Sequence, residues 1–273
     1  MESGGTPILR FENVSVAFDG VPALIDMSFA AYEGETRVIL GAAGSGKTVL
    51  LKTALGLVRP DSGHVFVFDQ RIDQLEEREL FDIRSRIGML FQESALFDSL
   101  NIEENVAYPL ENQRAIHCPP GEIRPRVVQA LEFVELGHTL EKFPSELSGG
   151  MRRRAAIARA VVTEPQLVLY DSPTAGLDPI TAHTIMALLI KRRDLARTTT
   201  LVVTHRYQDG NLVANFRYNS EQGRLEPARN GVRRGARTIF MVLREGRVTF
   251  EGNQEQLESS TDSYVLKFVK HRK

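Results

Sequence analysis

A glycine-rich segment directly after a short apolar run constrains the fold of this chain more than any other feature. Residues 36 to 40 (TRVIL) are mostly apolar or β-branched, which predicts a buried strand, and GAAGSGKT follows at residues 41 to 48. Backbone N–H groups can approach an anion closely where side chains are missing, at Gly41, Gly44 and Gly46. A helix predicted to begin at Lys47 points its positive dipole end at the same place. This strand–loop–helix pattern predicts a loop that binds the phosphates of a nucleotide.

Polar side chains complete this predicted phosphate site. Ser45 belongs to the loop, Lys47 can reach the β- and γ-phosphates of ATP, and the Thr48 hydroxyl can ligate Mg²⁺. A second apolar run, LVLYD, ends in Asp171. That places a carboxylate at the carboxyl edge of a buried strand, where ligands of open α/β sheets bind. Asp171 can therefore hold Mg²⁺ from the face opposite Thr48. The predicted cofactors are ATP and Mg²⁺.

LSGGM, at residues 147 to 151, offers a second place for an anion. Ser148 can cap a helix that begins near Gly149, and Gly149 and Gly150 leave the backbone N–H groups accessible. A single nucleotide bound at the first segment would not need this second one. Two half-sites on one chain predict that two chains close around ATP.

Composition and charge favour a nucleotide-binding protein with a substantial core. The 273 residues are 42% hydrophobic and 25% charged. The formal net charge of −1 argues against bulk electrostatic binding of nucleic acid. No apolar run approaches the roughly 20 residues needed to cross a bilayer, and the N-terminus lacks a signal-peptide pattern, so we expect a chain that is neither exported nor membrane-spanning. Cys118 is the only cysteine, which fits a reducing cytoplasm; a bystander is favoured over a reactive role.

The pattern of strands and helices divides the chain into lobes. Short β-type runs with turn signals surround the phosphate loop and return with residues 166 to 171 and 198 to 205. Between about 93 and 163 helical patterns dominate, as in RPRVVQALEFVEL and MRRRAAIARAVV. A helix capped by Asp178 with Pro179 at its first position joins the two later strands. We expect a core lobe at 1–92 and 164–252 and an inserted helical lobe at about 93–163.

The order of these motifs resembles the nucleotide-binding subunits of ABC transporters. GAAGSGKT resembles the Walker A motif, LSGGM the family signature, LVLYD the Walker B motif and GLDP the D-loop. Three single residues fall where the family has an adenine-stacking aromatic, the Q-loop glutamine and the switch histidine, namely Phe18, Gln92 and His205. The resemblance implies a P-loop NTPase (RecA-like) α/β core with an N-terminal antiparallel β subdomain and an inserted helical subdomain, over residues 1–252. It also implies Gln92 at the metal and His205 at the γ-phosphate.

The family further implies partners. Two copies would sandwich ATP between the Walker A motif of one and the LSGGM of the other, and transmembrane permease subunits would follow their movement. LFQESALFDSLNIEENVAYPL (residues 90–110) is similar to ATPases of the Mla/Mce systems, which move phospholipid or other hydrophobic molecules. That likeness implies a peripheral protein on the cytoplasmic face of the bacterial inner membrane, with an Mce-type substrate-binding protein among its partners and no nucleic acid. The competing class is a soluble ABC clamp in DNA repair or translation, which lacks support because no long coiled coil or second cassette is present.

Ser172 departs from the family pattern. The family normally has a Glu after the Walker B Asp, where it deprotonates the attacking water, and a serine hydroxyl is no base near neutral pH. Asp171 is expected to be committed to Mg²⁺. Three interpretations remain open: a slow natural ATPase, an ATP-binding subunit that barely hydrolyses, and an engineered trap. We favour the natural substitution.

Three further segments carry predictions about surfaces and contacts. An insertion at about 206–237 contains LVANFRY, which suggests an extra strand or hairpin, and a basic stretch formed by Arg224, Arg229, Arg233, Arg234 and Arg237. A solvated surface is favoured there over contact with anionic lipid or a partner. Arg152, Arg153 and Arg154 similarly indicate a solvated helix face or an interface. The tail, 253–273, is expected to form a short amphipathic helix docked on the core or on a second subunit.

Overall fold

The protein is described by a computed structural model over residues 5–228 and 237–270. The strands of these ranges are β1 (Pro7–Phe18), β2 (Val21–Tyr32), β3 (Thr36–Gly41), β4 (Ser62–Val67), β5 (Gln70–Arg71), β6 (Ile87–Leu90), β7 (Leu167–Asp171), β8 (Thr199–Thr204), β9 (Phe216–Asn219), β10 (Arg224–Pro227), β11 (Thr238–Arg244) and β12 (Arg247–Gly252). The α-helices are α1 (Lys47–Ala54), α2 (Glu77–Arg84), α3 (Ile102–Asn112), α4 (Pro120–Phe133), α5 (Gly149–Val161), α6 (Pro179–Ala196), α7 (Tyr207–Asn215), α8 (Gln254–Glu258) and α9 (Ser263–Lys270). No helix among the described residues is long and apolar enough to cross a bilayer.

A six-stranded sheet in the order β12-β11-β3-β8-β7-β6 forms the centre of the molecule. From β11 to β6 the neighbours are parallel, and β12 is antiparallel to β11. Leu40 pairs with Thr204, and Asp171 pairs with Val203, so the carboxyl ends of β3, β8 and β7 meet at one edge. Residues that follow these strands are therefore brought together by the sheet itself.

A second, antiparallel sheet in the order β2-β1-β4-β5 lies at the N-terminus, as expected. Side chains alternate across the central strands because successive residues of a strand point to opposite faces. Ile39 packs into the core shared with the antiparallel sheet and α1, whereas Val38 and Leu40 pack into the core shared with the helices. The predicted α/β class is confirmed, and the central sheet has an apolar core on each face.

Helices α3, α4 and α5 lie between β6 and β7 in the chain, where the sequence predicts the helical lobe. They pack on one another through buried apolar residues such as Val106, Val127 and Ala156. Pro120 begins α4, and Asn101 caps α3 by accepting a hydrogen bond from the Glu104 N–H. The exact lobe boundaries stay predictions.

The strand expected over LVANFRY is wrong in its first half. Leu212 to Asn215 continue helix α7, and the hairpin begins only at Phe216, which pairs with Pro227. The Val213 side chain is buried, and Arg193 donates hydrogen bonds to the carbonyl oxygens of Val213 (2.5 Å) and Phe216 (2.9 Å), which holds the end of the helix in place. Arg224 and Arg237 are exposed. Arg229, Arg233 and Arg234 lie outside the described residues.

The tail forms two short helices that dock on the core of the same chain. Leu257 of α8 and Val265 of α9 are fully buried, and Val269 is nearly so. The Tyr207 hydroxyl donates a hydrogen bond to Glu258 Oε1, which joins α7 to α8. The tail therefore docks on the core of its own chain, one of the two places expected from the sequence, and contact with a second subunit stays a prediction.

Candidate nucleotide-binding site

The GAAGSGKT loop connects β3 to α1 and requires glycine at several positions. Gly46 precedes α1 with φ +99°, and a Cβ there would lie 2.4 Å from the carbonyl oxygen of Ala23. A Cβ at Gly41 would lie 2.3 Å from Ser45 Oγ and 2.9 Å from the Leu243 carbonyl oxygen. Gly44 has φ +77°, a region that glycine adopts without steric cost. Helix α1 begins at Lys47, as predicted.

The Lys47 ammonium is folded over this loop. Its Nζ donates hydrogen bonds to the carbonyl oxygens of Gly41 (2.8 Å) and Ala42 (2.7 Å) and to Ser45 Oγ at 3.3 Å. Burial lowers the pKa of Lys47 below its ordinary value, and the charge of Asp171 opposes this shift. The three contacting oxygens are neutral, so a phosphate arriving here would meet a cation that no contacting carboxylate neutralises.

Thr48 and Asp171 form the candidate magnesium site. Thr48 Oγ1 donates a hydrogen bond of 2.8 Å to Asp171 Oδ2, and Asp171 is buried at the end of β7. Hydroxyl and carboxylate oxygens are the ligands that Mg²⁺ takes, alongside water and substrate phosphates. These residues therefore fit the ion. Gln92 is exposed, two residues after β6, and no hydrogen bond within the described ranges joins it to Thr48 or Asp171.

Ser172 is held in a conformation in which its hydroxyl is hydrogen-bonded to Asp171. It has φ +49°, its N–H donates to the Val203 carbonyl oxygen (2.9 Å), and its Oγ donates to Asp171 Oδ1 at 3.1 Å. Only 9% of Ser172 is exposed. The hydroxyl therefore supports Asp171 and is not poised to accept a proton. His205, by contrast, is exposed directly after β8.

Phe18 lies at the tip of the β1–β2 hairpin and is 48% exposed. It pairs with Val21, which is also exposed. The same hairpin contains Ala23, whose carbonyl oxygen faces Gly46, so the hairpin borders the phosphate loop. An exposed aromatic side chain on this hairpin is suited to stacking on the base of a nucleotide.

The LSGGM segment forms a capped helix start. Ser148 Oγ accepts a hydrogen bond from the Met151 N–H at 3.3 Å, and α5 begins at Gly149. Ser148 and Gly149 are exposed, and a Cβ added at Gly149 would meet nothing within 4 Å. On the other side, a Cβ at Gly150 would lie 2.6 Å from Thr181 Cγ2 on α6. The segment is packed on one side and open on the other.

At Arg152 to Arg154 the sequence predicts a solvated helix face or an interface, and the solvated face is wrong for Arg153. This side chain is buried, and it donates hydrogen bonds to the carbonyl oxygens of Phe91 (3.2 Å) and Ala175 (3.4 Å). Burial lowers the pKa of its guanidinium, an effect that Asp171 opposes. Arg153 thus joins α5 to the segment before Gln92 and to the loop after Asp171. Its spacing from Ala156, Ile157 and Ala160 matches one helical face, and this spacing is the sequence signal for its burial.

Tyr264 of the tail also contacts the phosphate loop, which the sequence did not indicate. Its hydroxyl accepts a hydrogen bond from the Ala42 N–H at 3.3 Å and donates one to the Leu243 carbonyl oxygen at 3.1 Å. Helix α9 therefore supports the GAAGSGKT loop through Tyr264.

Comparison with known proteins identifies the class. The family model described as ABC transporter matches residues 24–175, more than half of the chain. The chain therefore belongs to the ABC transporter family, as an ATP-binding ATPase subunit with the P-loop NTPase fold. Among solved structures, a dimeric, post-hydrolysis state of the cassette MJ0796 bound to ADP and Pi has a TM-score of 0.75 at 29% identity, covering 90% of this chain and 98% of that one.

Three individual relatives are ATP-binding proteins of different transport systems. The intermembrane phospholipid transport ATP-binding protein MlaF of Haemophilus influenzae is 34% identical over 90% of this chain and 83% of its own length. The probable ribonucleotide transport ATP-binding protein mkl of Mycobacterium leprae is 41% identical over 66% of this chain, which spans about half (51%) of that relative. The methionine import ATP-binding protein MetN of Carboxydothermus hydrogenoformans is 39% identical over 72% of this chain and 59% of its own length.

Proposed function

We propose that this chain powers an Mla-type transporter of phospholipid or another hydrophobic substrate, at the cytoplasmic face of a bacterial inner membrane. The observation that carries the proposal is the likeness to MlaF over 90% of this chain. Two copies would close around ATP and act on transmembrane permease subunits, with an Mce-type protein presenting the substrate. The dimeric state of MJ0796 supports the two-copy arrangement.

In this proposal different residues of the chain bind the adenine base, the phosphates and the magnesium ion. Phe18 stacks on adenine, and the N–H groups of GAAGSGKT with Lys47 hold the β- and γ-phosphates. Thr48, Asp171 and Gln92 would hold Mg²⁺, which neutralises phosphate charge when bound. His205 contacts the γ-phosphate from the end of β8.

The second chain contributes the LSGGM half of the ATP site. Ser148, Gly149 and Gly150 direct the N-terminal N–H groups of α5 at the γ-phosphate across the interface. Hydrolysis removes the group that this helix recognises, so the two chains separate. The permease can then change conformation.

Ser172 is proposed to limit the rate of hydrolysis, because its hydroxyl is bonded to Asp171 and cannot act as a base. We expect Ser172→Glu to raise turnover of the assembled complex, up to the ~10²–10⁴-fold that general-base help supplies. The matched control, Ser172→Ala, should turn over ATP at about the wild-type rate. Unchanged turnover in Ser172→Glu would show that this residue is not the limiting defect.

The substrate is tested by isolating the chain with its partners from the native membrane. We expect a multi-span permease and an Mce-type protein to co-purify, and ATP-dependent movement of labelled phospholipid after reconstitution in vesicles. Transport of methionine or of a ribonucleotide in place of phospholipid would assign the function of another relative. Recovery of ribosomes or DNA would contradict the transporter proposal.

A further inference from the structure

A buried carboxylate on α7 joins two loops of the nucleotide site. Asp209 is 2% exposed, and its Oδ2 accepts hydrogen bonds from the hydroxyls of Thr174 and Thr204, both at 2.7 Å. The two threonines are themselves buried. One oxygen atom therefore fixes two segments that are 30 residues apart in the chain (174 and 204).

Each threonine lies beside a residue of the site. Thr204 ends β8 and directly precedes His205, and its Oγ1 also accepts a hydrogen bond from the Arg206 N–H at 3.0 Å. Thr174 lies in the loop after Asp171 and Ser172. Arg153 holds the next residue of this loop through the Ala175 carbonyl oxygen. The Asp209 carboxylate thus joins the His205 side of the site to the Asp171 side.

A purely structural role does not explain the choice of residue. Burial of a carboxylate costs free energy, and an apolar side chain would fill the same space without that cost. The contacting groups are two neutral hydroxyls, and the nearest ion pair is longer, 3.9 Å from Arg206 Nε to Oδ1. A charged acceptor with two short, directional bonds instead sets the relative position of the loops.

We infer that Asp209 is a positioning residue, which keeps His205 in register with the loop that carries Asp171 and Ser172. The inference rests on the ATP hydrolysis cycle proposed above. Asp209 acts through the two threonines and not through contact with nucleotide. Loss of the link changes the placement of groups around the γ-phosphate and leaves the phosphate-binding loop on β3 intact.

The test measures single-turnover ATP hydrolysis, ATP affinity and thermal unfolding of the full chain in the wild type and in variants. Thr174→Val keeps the shape and removes one hydroxyl donor, and Thr174→Ser is its matched control. Asp209→Leu removes both bonds, and Asp209→Asn keeps an acceptor oxygen. We expect Thr174→Val and Asp209→Leu to hydrolyse ATP about ten- to a hundredfold more slowly, with ATP affinity within about twofold of wild type. Thr174→Ser should retain most of the rate, and Asp209→Asn should fall between Asp209→Leu and the wild type, because a neutral amide oxygen accepts more weakly than a carboxylate.

Several results would overturn the inference. A folded Thr174→Val variant with the wild-type rate would do so, and this variant decides the matter if Asp209→Leu fails to fold. A parallel loss of ATP affinity would assign the link to folding of the binding site. If the wild type hydrolyses no ATP in a single turnover, the proposed hydrolysis cycle fails, and the role assigned to Asp209 fails with it.

Discussion

The two glycine-rich segments of this chain differ in how far the chain itself completes them. Contacts within the chain hold GAAGSGKT in place: Gly46 faces Ala23, Lys47 bonds to three oxygens, and the Tyr264 hydroxyl accepts a hydrogen bond from the Ala42 N–H. LSGGM has a capped helix start whose Gly149 has open space beside it. The contrast indicates that one chain can form the first half-site alone. The second is an exposed, capped helix N-terminus, which suits the partner copy proposed above.

The largest expected effect comes from Gly46→Ala. The new Cβ would lie 2.4 Å from a backbone oxygen, in a residue at φ +99°. We expect loss of ATP binding and a fall of about 1–3 kcal/mol in the free energy of unfolding. Chemical denaturation and a fluorescent-ATP titration measure the two effects. Unimpaired ATP binding would show that the first half-site does not depend on its close packing.

Gly149→Asp changes the second half-site and, unlike Gly46→Ala, should not lower the stability of the chain. The new side chain meets open space, and a carboxylate at a helix N-terminus is favourable by about 0.3–1 kcal/mol. We expect unchanged or slightly raised stability and unchanged ATP affinity of the single chain. ATP-dependent association should be lost, because the carboxylate repels the γ-phosphate of the ATP that is bound to the other chain. Light scattering with and without ATP checks this, and weaker ATP binding by the monomer would contradict the division between half-sites.

Ser148→Ala removes the cap of α5 without adding charge. The lost hydrogen bond to the Met151 N–H should cost about 1 kcal/mol of stability. ATP-dependent association should weaken and not disappear, because the N–H groups of α5 remain. Ser148→Asn, which can also cap, serves as the control. Equal weakening in both variants would assign the effect to the serine hydroxyl touching the nucleotide.

Tyr264→Phe should have the smallest effect. It removes the hydroxyl that contacts Ala42 and Leu243, and a neutral hydrogen bond is worth about 1 kcal/mol. We expect ATP affinity to fall by roughly fivefold or less, as measured by calorimetry. Phe268→Leu, in the same helix α9, keeps the hydroxyl and should leave ATP affinity unchanged. Equal losses in both would mean that docking of the helix matters and the hydroxyl does not.

The local structure of both glycine-rich segments could largely be predicted from the sequence. The helix starts at Lys47, Gly149 and Pro179 follow from glycines and capping residues that lie within a few positions of each start. Asp171 was predicted at the edge of the sheet because an apolar run ends there. Local capping and period-2 patterns act over short distances, so a single sequence carries them.

The long-range contacts around the site could not be predicted in this way. Tyr264 meets Ala42 across 222 residues, and Thr174 meets Asp209 across 35. Such pairs depend on how the sheet and helices pack, and the sequence around Tyr264 and Asp209 does not indicate these partners. LVANFRY was predicted as strand because its apolar residues suit both states, and packing of Val213 against the core decided for helix.

The central claim, that one half-site of each chain serves the other chain, is tested most directly by mixing two defective variants. Lys47→Ala disables the phosphate loop and Gly149→Asp disables LSGGM, so each alone should stay monomeric in MgATP. In a mixed pair, the intact loop of one chain meets the intact LSGGM of the other. We expect ATP-dependent energy transfer between fluorescent labels on the two variants only when both are present. No association in the mixture, or wild-type association of either variant alone, would contradict the shared site.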